Sequence, residues 1–178
     1  MEMFDIYTEN REKTNRTIER GTALEKNDYR LVVHACIIND KNEMLIQQRQ
    51  PFKSGWANMW DITVGGSVIA GETSKQAVQR ELFEELGINI DFSDIRPQFT
   101  INFENGFDDI YIIQRSDIDI TTLKLQYEEV QRVKWASFNE IQEMLHNGTF
   151  IPYYESLINL IFSMKNNYGC FLITESTN

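Results

Sequence analysis

Three glutamates are the residues of this chain whose spacing most clearly indicates chemistry. Glu81, Glu84 and Glu85 lie in the stretch 66–88, which reads GSVIAGETSKQAVQRELFEELGI. On a helix, spacings of three and four residues gather these carboxylates towards one side. Like charges so close repel one another unless a cation neutralises them. Mg²⁺ prefers carboxylate oxygens and commonly binds substrate phosphates as well, so the cluster predicts a metal-assisted phosphate enzyme.

The residues around the cluster predict the helix that positions it. Thr73, followed three residues later by Gln76, fits a capping box at a helix start. Apolar residues at positions 77, 78, 82 and 86 supply a stripe for burial, and Gly87 suits the position just after the helix. Because the buried stripe fixes the rotation of the helix, the glutamates are held in a defined direction.

Two glycines end the strand that we predict before this helix. Gly65 and Gly66 have no side chain, so backbone carbonyls can approach a metal ion closely there, and Gly66 is a candidate metal contact. Arg80 can pair with a nearby acid, and Glu72 is a candidate for that partner or for an outer contact of the metal. We expect Glu72 and Arg80 to support the site.

The rest of the chain predicts a mixed α/β domain. A short hairpin is expected from residues 4–7 and 14–18. Two further helices are expected, one opened by the capping box of Ser137 and Glu140, and one running from Pro152 to about Lys165. Strands are indicated by β-rich runs at 31–38, 44–49, 61–64, 99–103, 110–114 and 130–135. The order of strands, one helix, more strands and two helices is typical of the mixed class.

Length and charge restrict the class of partner. A chain of 178 residues is long enough for one domain with its own core. Its net charge of −10 disfavours a nucleic-acid polymer or an anionic membrane as a partner, but a bound cation can still attract a small phosphorylated ligand. Two cysteines are too few for a disulfide scaffold, and the N-terminus lacks a signal-peptide pattern. We therefore expect a cytoplasmic protein.

The whole pattern of residues 66–88 resembles the Nudix box at every fixed position. The pattern consists of Gly66, five residues, Glu72, seven residues, Arg80-Glu81-Leu82, one residue, Glu84-Glu85, one residue and Gly87-Ile88. The strands and turns from about residue 31 to 135 resemble the Nudix domain as well. The resemblance implies an α/β Nudix fold, with a mixed β-sheet sandwiched between helices. It divides the chain into an N-terminal extension (1–28), a Nudix domain (29–168) and a C-terminal tail (169–178).

The resemblance also implies a reaction. Nudix enzymes hydrolyse a diphosphate bond in a nucleoside diphosphate linked to another moiety, with Mg²⁺ or alternatively Mn²⁺. By similarity, Glu84 and Glu85 are the first candidate metal ligands and Glu81 is the next. A carboxylate can act as general base, and the candidates are Glu129 and Glu81. By resemblance, Glu129 lies where some Nudix enzymes have an additional metal-binding acid on a loop, so it is also a candidate metal ligand. The neighbouring Glu128 ranks below Glu129.

The stretch 49–60 supplies candidate substrate contacts. Arg49 and Lys53 are candidates for steering phosphates, and Trp56 is a candidate for stacking on a base. His34 alternates within an apolar strand, so we interpret it as a structural histidine rather than a ligand. The expected partner is a small nucleoside diphosphate derivative, and the N-terminal hairpin offers an edge for pairing with a second copy as a homodimer.

Two alternatives stay open. Residues 4–21, 31–49 and 55–66 resemble the Nudix branch related to isopentenyl-diphosphate isomerase. Those isomerases need a cysteine just after the strand before the box, where this chain reads WDITVGGSV, so isomerase activity is the second choice. A Nudix-fold module that senses a nucleotide without hydrolysing it is the third, and the intact box counts against it.

Overall fold

Nine strands and three helices make up the part of the chain that the computed structural model describes, residues 2–165 and 167–171. The strands are β1 (Met3–Tyr7), β2 (Lys13–Glu19), β3 (Arg30–Ile38), β4 (Glu43–Arg49), β5 (Trp60–Asp61), β6 (Val64–Ser67), β7 (Phe99–Phe103), β8 (Gly106–Gln114) and β9 (Val130–Ser137). The helices are α1 (Ser74–Leu86), α2 (Phe138–His146) and α3 (Glu155–Ser163), and a 3₁₀ turn spans Ile120–Thr122.

Seven strands form one mixed sheet. The order along the sheet is β5-β4-β3-β8-β7, while β6 pairs with β3 and β9 pairs with β4. Strands β3 and β8 are parallel, and the other pairs are antiparallel. Strands β1 and β2 form a separate antiparallel hairpin.

The sheet separates two apolar cores, and helices cover both. On one face, Ala77, Val78, Leu82 and Leu86 of α1 pack in the same cluster as the odd-numbered residues of β3. On the other face, α2 and α3 pack in a cluster that includes Cys36 and Ile38 of β3. Alternate side chains of a strand point to opposite faces, which is why one apolar strand serves both cores. The predicted α/β fold with a mixed sheet between helices is confirmed.

Helix α1 begins and ends where the sequence predicts. The Thr73 hydroxyl accepts from the Gln76 backbone N–H, and the Gln76 side chain accepts from the Thr73 N–H at 2.9 Å. Gly87 follows the helix with φ +69°, a conformation that glycine adopts without steric cost. The central helix of the motif therefore has both of its expected ends.

Two element boundaries differ from the sequence prediction. Gly65 and Gly66 lie inside β6, where they pair with His34 and Val33 of β3, and do not follow the strand. Helix α3 starts at Glu155, so Pro152 precedes the helix and is not in its first turn. The reason is tertiary, because the Ile151 N–H donates to the Trp60 carbonyl at 2.8 Å and keeps this segment extended beside β5.

The N-terminal hairpin is attached to the loop that leads into α1. The Ala70 N–H donates to the Met3 carbonyl at 2.7 Å, and the Gly71 N–H donates to the Asp5 carboxylate at 2.9 Å. The division at residues 28 and 168 stays a prediction. Of the predicted tail, only 169–171 lies in the described part of the chain. None of the helices in residues 2–165 and 167–171 is long and apolar enough to cross a membrane.

Candidate active site

A cavity of about 520 Å³ lies beside the glutamate side of α1. Strands β3 and β6, helix α1, the hairpin and the loops before β5 and β9 contribute to its wall. The acidic residues that line it are Glu2, Glu81, Glu84, Glu85, Asp108 and Glu129. The basic residues that line it are Arg20, Arg30, Arg49, Lys53 and Arg80. Such a mixture suits a ligand that combines a cation with phosphates.

Glu85 is the most deeply buried of these acids. Its side chain projects from α1 into the protein, and only 5% of the residue is exposed. The Gln47 side-chain amide of β4 donates to its carboxylate at 2.8 Å. Burial, with smaller contributions from the charges of Glu81 and Glu129, raises the pKa of Glu85 to about 8 against the opposing effect of that hydrogen bond. A carboxyl in this position is ready to ionise when a cation arrives.

Arg80 organises the other glutamates of the helix. Its guanidinium donates to both carboxylate oxygens of Glu72, at 2.9 and 3.1 Å. It also donates to Glu81 at 2.8 Å, to Glu84 at 3.1 Å and to the Ser67 carbonyl at 3.0 Å. The predicted pairing of Arg80 with Glu72 is present, and it fixes the loop before α1 against the helix.

Gly66 and Glu81 meet closely across the cavity. A Cβ atom added to Gly66 would lie 2.1 Å from the carboxyl carbon of Glu81, so a side chain at this position would displace that carboxylate. Burial raises the pKa of Glu81, and the Arg80 guanidinium opposes that effect. A backbone carbonyl beside a carboxylate offers the oxygen ligands that hard divalent cations prefer.

The carboxylates fit a metal ion by type, although their side chains are paired differently in the described structure. Among residues 2–165 and 167–171, no three His, Cys, Asp or Glu side chains converge to hold a metal ion. The cause is visible at Arg80, which draws Glu81 and Glu84 towards its guanidinium. Metal binding by the predicted set of Gly66, Glu81, Glu84 and Glu85 therefore requires side-chain rotation at one or more of these glutamates.

Two of the three candidate substrate contacts line the cavity. Lys53 forms an ion pair with Glu129 at 2.6 Å, and Arg49 donates from Nε to the Gly55 carbonyl at 3.1 Å. Trp56 is 53% exposed and is not among the residues that line the cavity. Glu129 lines the cavity and is partly buried. Its neighbour in the chain, Glu128, is exposed and lies outside the lining.

An exposed aromatic pair stands next to these loops. Phe52 is 57% exposed and Tyr127 is 71% exposed, and their ring centroids lie 5.7 Å apart. Phe52 precedes Lys53 in the chain and Tyr127 follows Gln126, and both of those neighbours line the cavity. The pair is therefore located at the rim of the cavity.

His34 is the residue that the sequence favours as a structural histidine rather than a ligand. It lines the cavity, and its Nδ1 lies 2.8 Å from both carboxylate oxygens of Asp108. Burial lowers the pKa of His34, but the Asp108 carboxylate more than offsets this, so the pKa is raised overall. A Cβ on Gly65 would lie 2.5 Å from the imidazole ring, which explains the need for glycine there.

Sequence reasoning missed the hairpin side of the cavity altogether. Glu2, Arg20, Arg30, Phe103 and Asp108 all line it. The alternation of β3 places Arg30 on the same face as His34, but no local signal indicates that β8 pairs alongside β3 and brings Asp108 to that face. The contribution of Glu2 and Arg20, which flank the two hairpin strands, has no sequence signal either.

Known proteins resemble this chain over most of its length. The NUDIX domain family model matches residues 28–155. An uncharacterized Nudix hydrolase of Listeria innocua is 45% identical over 166 residues, covering 93% of this chain and 96% of the relative. Isopentenyl-diphosphate Delta-isomerase of Salmonella typhi is 24% identical, covering 79% of this chain and 80% of that protein. The crystal structure of DR0079 from Deinococcus radiodurans has a TM-score of 0.72 at 26% identity, covering 90% of this chain and 97% of that one.

These similarities agree with the geometry. The family match spans the sheet, helix α1 and helix α2, and thus every element that carries a residue of the box. The helix acids of the box meet Arg80 and Gly66 at one cavity, which is lined by Gly66, Arg80, Glu81, Glu84 and Glu85. The chain therefore belongs to the Nudix family and is a Nudix-type hydrolase.

Proposed function

We propose that this protein is a Mg²⁺-dependent hydrolase that cleaves a diphosphate bond in a nucleoside diphosphate linked to another moiety, or in a related small diphosphate. Nudix hydrolases in general use a divalent metal and act on small nucleoside diphosphate derivatives. The observation that carries the proposal is the meeting of the box acids with five basic residues around one cavity. Acids of this kind hold a cation, while basic residues hold phosphates.

Glu84, Glu85 and Glu81, together with the backbone at Gly66, are the proposed metal ligands, and Glu129 is an additional one. When bound, Mg²⁺ or Mn²⁺ would neutralise charge on the diphosphate and increase the acidity of an attacking water. Arg80 and Glu72 hold the loop and the helix in place around this set. Glu129 and Glu81 are the candidates for general base, since both line the cavity and one must accept the proton of the attacking water.

Arg49, Lys53 and Trp56 are the proposed substrate contacts. Arg49 and Lys53 add positive charge to the wall of the cavity, and Lys53 lies beside Glu129 there. Lys53 is bound to Glu129 in the described structure, so a phosphate that binds Lys53 would release that carboxylate for metal or water. Trp56 lies further out and contacts a substrate only if the group beyond the diphosphate extends over the loop.

Isomerase activity is the second candidate, because a Salmonella isomerase is among the relatives. Within the described residues, no cysteine lines the cavity. Cys36 is fully buried in the other core, and Cys170 is an exposed residue after α3. Burial also raises the pKa of the Cys36 thiol well above its usual range, so a thiolate is disfavoured there. Binding of a nucleotide without hydrolysis is the third candidate.

A substrate panel separates the three candidates. Nucleoside diphosphates, nucleoside diphosphate sugars, nucleoside triphosphates and isopentenyl diphosphate are each incubated with the protein and Mg²⁺ or Mn²⁺. We expect release of a nucleoside monophosphate or of inorganic phosphate. Conversion of isopentenyl to dimethylallyl diphosphate would support the isomerase, and tight binding without turnover would support the sensor.

Two further proposals concern the setting of the enzyme. Both cysteines of the described residues are free, which fits a reducing, cytoplasmic environment. Pairing of two copies through the N-terminal hairpin stays a prediction, and light scattering on the eluting protein measures it directly.

A further inference from the structure

A second cavity adjoins the cavity beside α1, which we call the catalytic cavity, on the side of the hairpin β1–β2. Its volume is about 470 Å³, which is within the range of pockets that hold a small organic ligand. Arg30 and Phe103 line both cavities and therefore form the boundary between them. We call this second space the hairpin cavity. It is lined by the hairpin β1–β2, the segment 21–24 that follows the hairpin, the start of β3, and the end of β7 with the turn after it.

The sheet wall of the hairpin cavity is fixed by strand register. Arg30 of β3 and Phe103 of β7 both pair with Gly106 of β8, so they are neighbours on one face of the sheet. A Cβ on Gly106 would lie 2.3 Å from the Arg30 carbonyl and 2.5 Å from the Phe103 ring. The Arg30 guanidinium lies over that ring, 5.7 Å from its centroid. Residues held by strands in this way form a more accurately positioned wall than residues on loops.

The opposite wall of the hairpin cavity is also positioned by strand pairing. Phe4 and Ile18 are cross-strand partners in the hairpin, and both line the cavity. The hairpin is bound to the loop before α1 through the carboxylate of Asp5, so this wall keeps its position relative to the glutamate helix. Two apolar side chains of the hairpin thus face an aromatic ring and a guanidinium across a space of small-ligand size.

Polar groups occur at the edge of this mainly apolar space. Thr22, Glu104 and Asn105 line it together with the apolar residues. A flat ring with hydrogen-bonding edges matches both features, because its faces can pack on Phe103 while its edges meet the polar groups. An alkyl chain would make no hydrogen bond to these polar groups.

Arg30 is the basic residue of the catalytic cavity most available to a phosphate. Arg20, Lys53 and Arg80 each form an ion pair with an acid, and Arg49 binds a carbonyl. In the described part of the chain, Arg30 forms no ion pair or side-chain hydrogen bond, and it contacts Phe103 instead. A guanidinium that stacks on a ring keeps its N–H donors free for a phosphate.

We propose that the hairpin cavity binds the nucleobase of the substrate, with Phe103 as the stacking surface and Arg30 binding the phosphate next to the nucleoside. This inference rests on the proposed function and names the part of the substrate that the Nudix box does not specify. It makes the hairpin β1–β2 part of the substrate-binding site.

Binding of nucleoside monophosphates in EDTA tests the proposal without depending on catalysis. Calorimetry with AMP, CMP, GMP and UMP is compared with inorganic phosphate for the wild type, Phe103→Ala and Ile18→Trp, the last of which fills the cavity. We expect both variants to weaken binding of the preferred nucleotide about 5- to 100-fold and to leave phosphate binding unchanged. Arg30→Ala should weaken binding of both ligands, by about 10-fold.

Two matched variants control for damage to the fold. Phe99→Ala removes the same ring from the same face of β7, where it packs on the α3 side. Arg96→Ala removes a guanidinium that lies over Tyr168, 5.2 Å from the ring centroid. Both should bind nucleotides like the wild type, and the thermal unfolding temperature of every variant is measured alongside.

The outcomes separate the inference from the proposed function. If no diphosphate compound is hydrolysed by the wild type, the proposed function is wrong, whatever the binding data show. Nucleotide affinity that is unchanged in Phe103→Ala and Ile18→Trp would overturn the inference. So would loss of affinity in Phe52→Ala or Tyr127→Ala instead, because the base would then lie on the rim aromatic pair. Stronger binding of isopentenyl diphosphate than of any nucleotide would also overturn it.

Discussion

Glu85 is buried, although it belongs to a helix that carries two further acids, Glu81 and Glu84, on the same side. In the described structure, the Gln47 side-chain amide donates a hydrogen bond to the carboxyl group of Glu85. Glu84 is partly exposed, and its carboxylate pairs with Arg80. The two predicted ligands therefore differ in burial, and a cation nearby would favour the ionised form of the buried Glu85.

The first prediction concerns these two glutamates. Glu84→Gln and Glu85→Gln should each reduce kcat for the best substrate about 100-fold or more, because each removes a charged ligand from the proposed metal site. The fold should persist, since glutamine keeps the size of the side chain. Steady-state kinetics with increasing Mg²⁺ and circular dichroism give the two measurements. Glu143→Gln, an exposed change on α2, is the control, and full activity in both site variants would contradict the metal-site assignment.

The second prediction is a pH dependence of stability. The pKa of Glu85 is raised from the ordinary 4.5 to about 8 in the folded protein. Between these values the unfolded chain has lost the proton that the folded chain keeps, so the stability contributed by the neutral carboxyl is lost as pH rises. In EDTA, the free energy of unfolding should fall more from pH 5 to 8.5 in the wild type than in Glu85→Gln. Equal falls would show that Glu85 is ionised throughout.

At the scale of elements, the loops before β5 and β9 act together. The Gln50 N–H donates to the Glu129 carbonyl at 3.0 Å, and the side chain of Lys53 pairs with the same glutamate. The loop before β5 therefore supplies the positively charged Lys53, and the loop before β9 supplies the negatively charged Glu129, to the same side of the cavity. Glu128 is exposed and is not among the residues that line the cavity, which gives a structural reason for ranking it below Glu129.

The third prediction tests that ranking. Glu129→Gln should lower kcat by about 10-fold or more, because a carboxylate that lines the cavity is lost. Glu128→Gln should stay within about twofold of the wild type, as expected for an exposed surface change. Both are measured with the same substrate at saturating Mg²⁺. Equal or reversed effects would show that the acid of this loop has been assigned wrongly.

The sequence predicted the features that depend on residues close together in the chain, and it missed those that depend on residues far apart in the chain. Helix α1 was predictable because its capping residues, its apolar stripe and Gly87 are all local signals. The start of α3 was not, because the extended segment around Pro152 depends on backbone pairing with Trp60, about 90 residues away. The glycines before α1 were recognised, but their place inside β6 depends on pairing with β3.

The residues of the candidate site also divide into those that local sequence signals predict and those that pairing between distant strands brings together. The acids of the box, Arg80 and Gly66 are close in sequence, so their spacing predicted their meeting. Arg30 and Phe103 are brought together only because both pair with Gly106, and no pattern within either segment indicates that register. His34 was interpreted as structural because its alternation fits a strand, and alternation does not reveal which face of the sheet lines a cavity.

At the scale of the whole molecule, the hairpin needs an anchor. Two strands alone are marginally stable in water, so β1 and β2 hold their shape through contacts with the rest of the protein. One of these contacts reaches the interior, where Arg11 pairs with the fully buried carboxylate of Asp109. The hydroxyls of Ser74 and Thr100 donate to the same carboxylate, each at 2.6 Å. Asp109 thus joins the hairpin turn, the start of α1 and the sheet.

The fourth prediction follows from this junction. Arg11→Ala leaves a buried carboxylate without its cation, so the free energy of unfolding should fall by about 1–3 kcal/mol in urea titrations. Arg115→Ala is the matched control, because it breaks an exposed ion pair with Asp117 and should cost less than about 1 kcal/mol. Hydrogen exchange should also speed up in β1 and β2 of Arg11→Ala alone. Equal losses in both variants, with the hairpin amides still protected, would mean that Asp5 and apolar contacts hold the hairpin without Asp109.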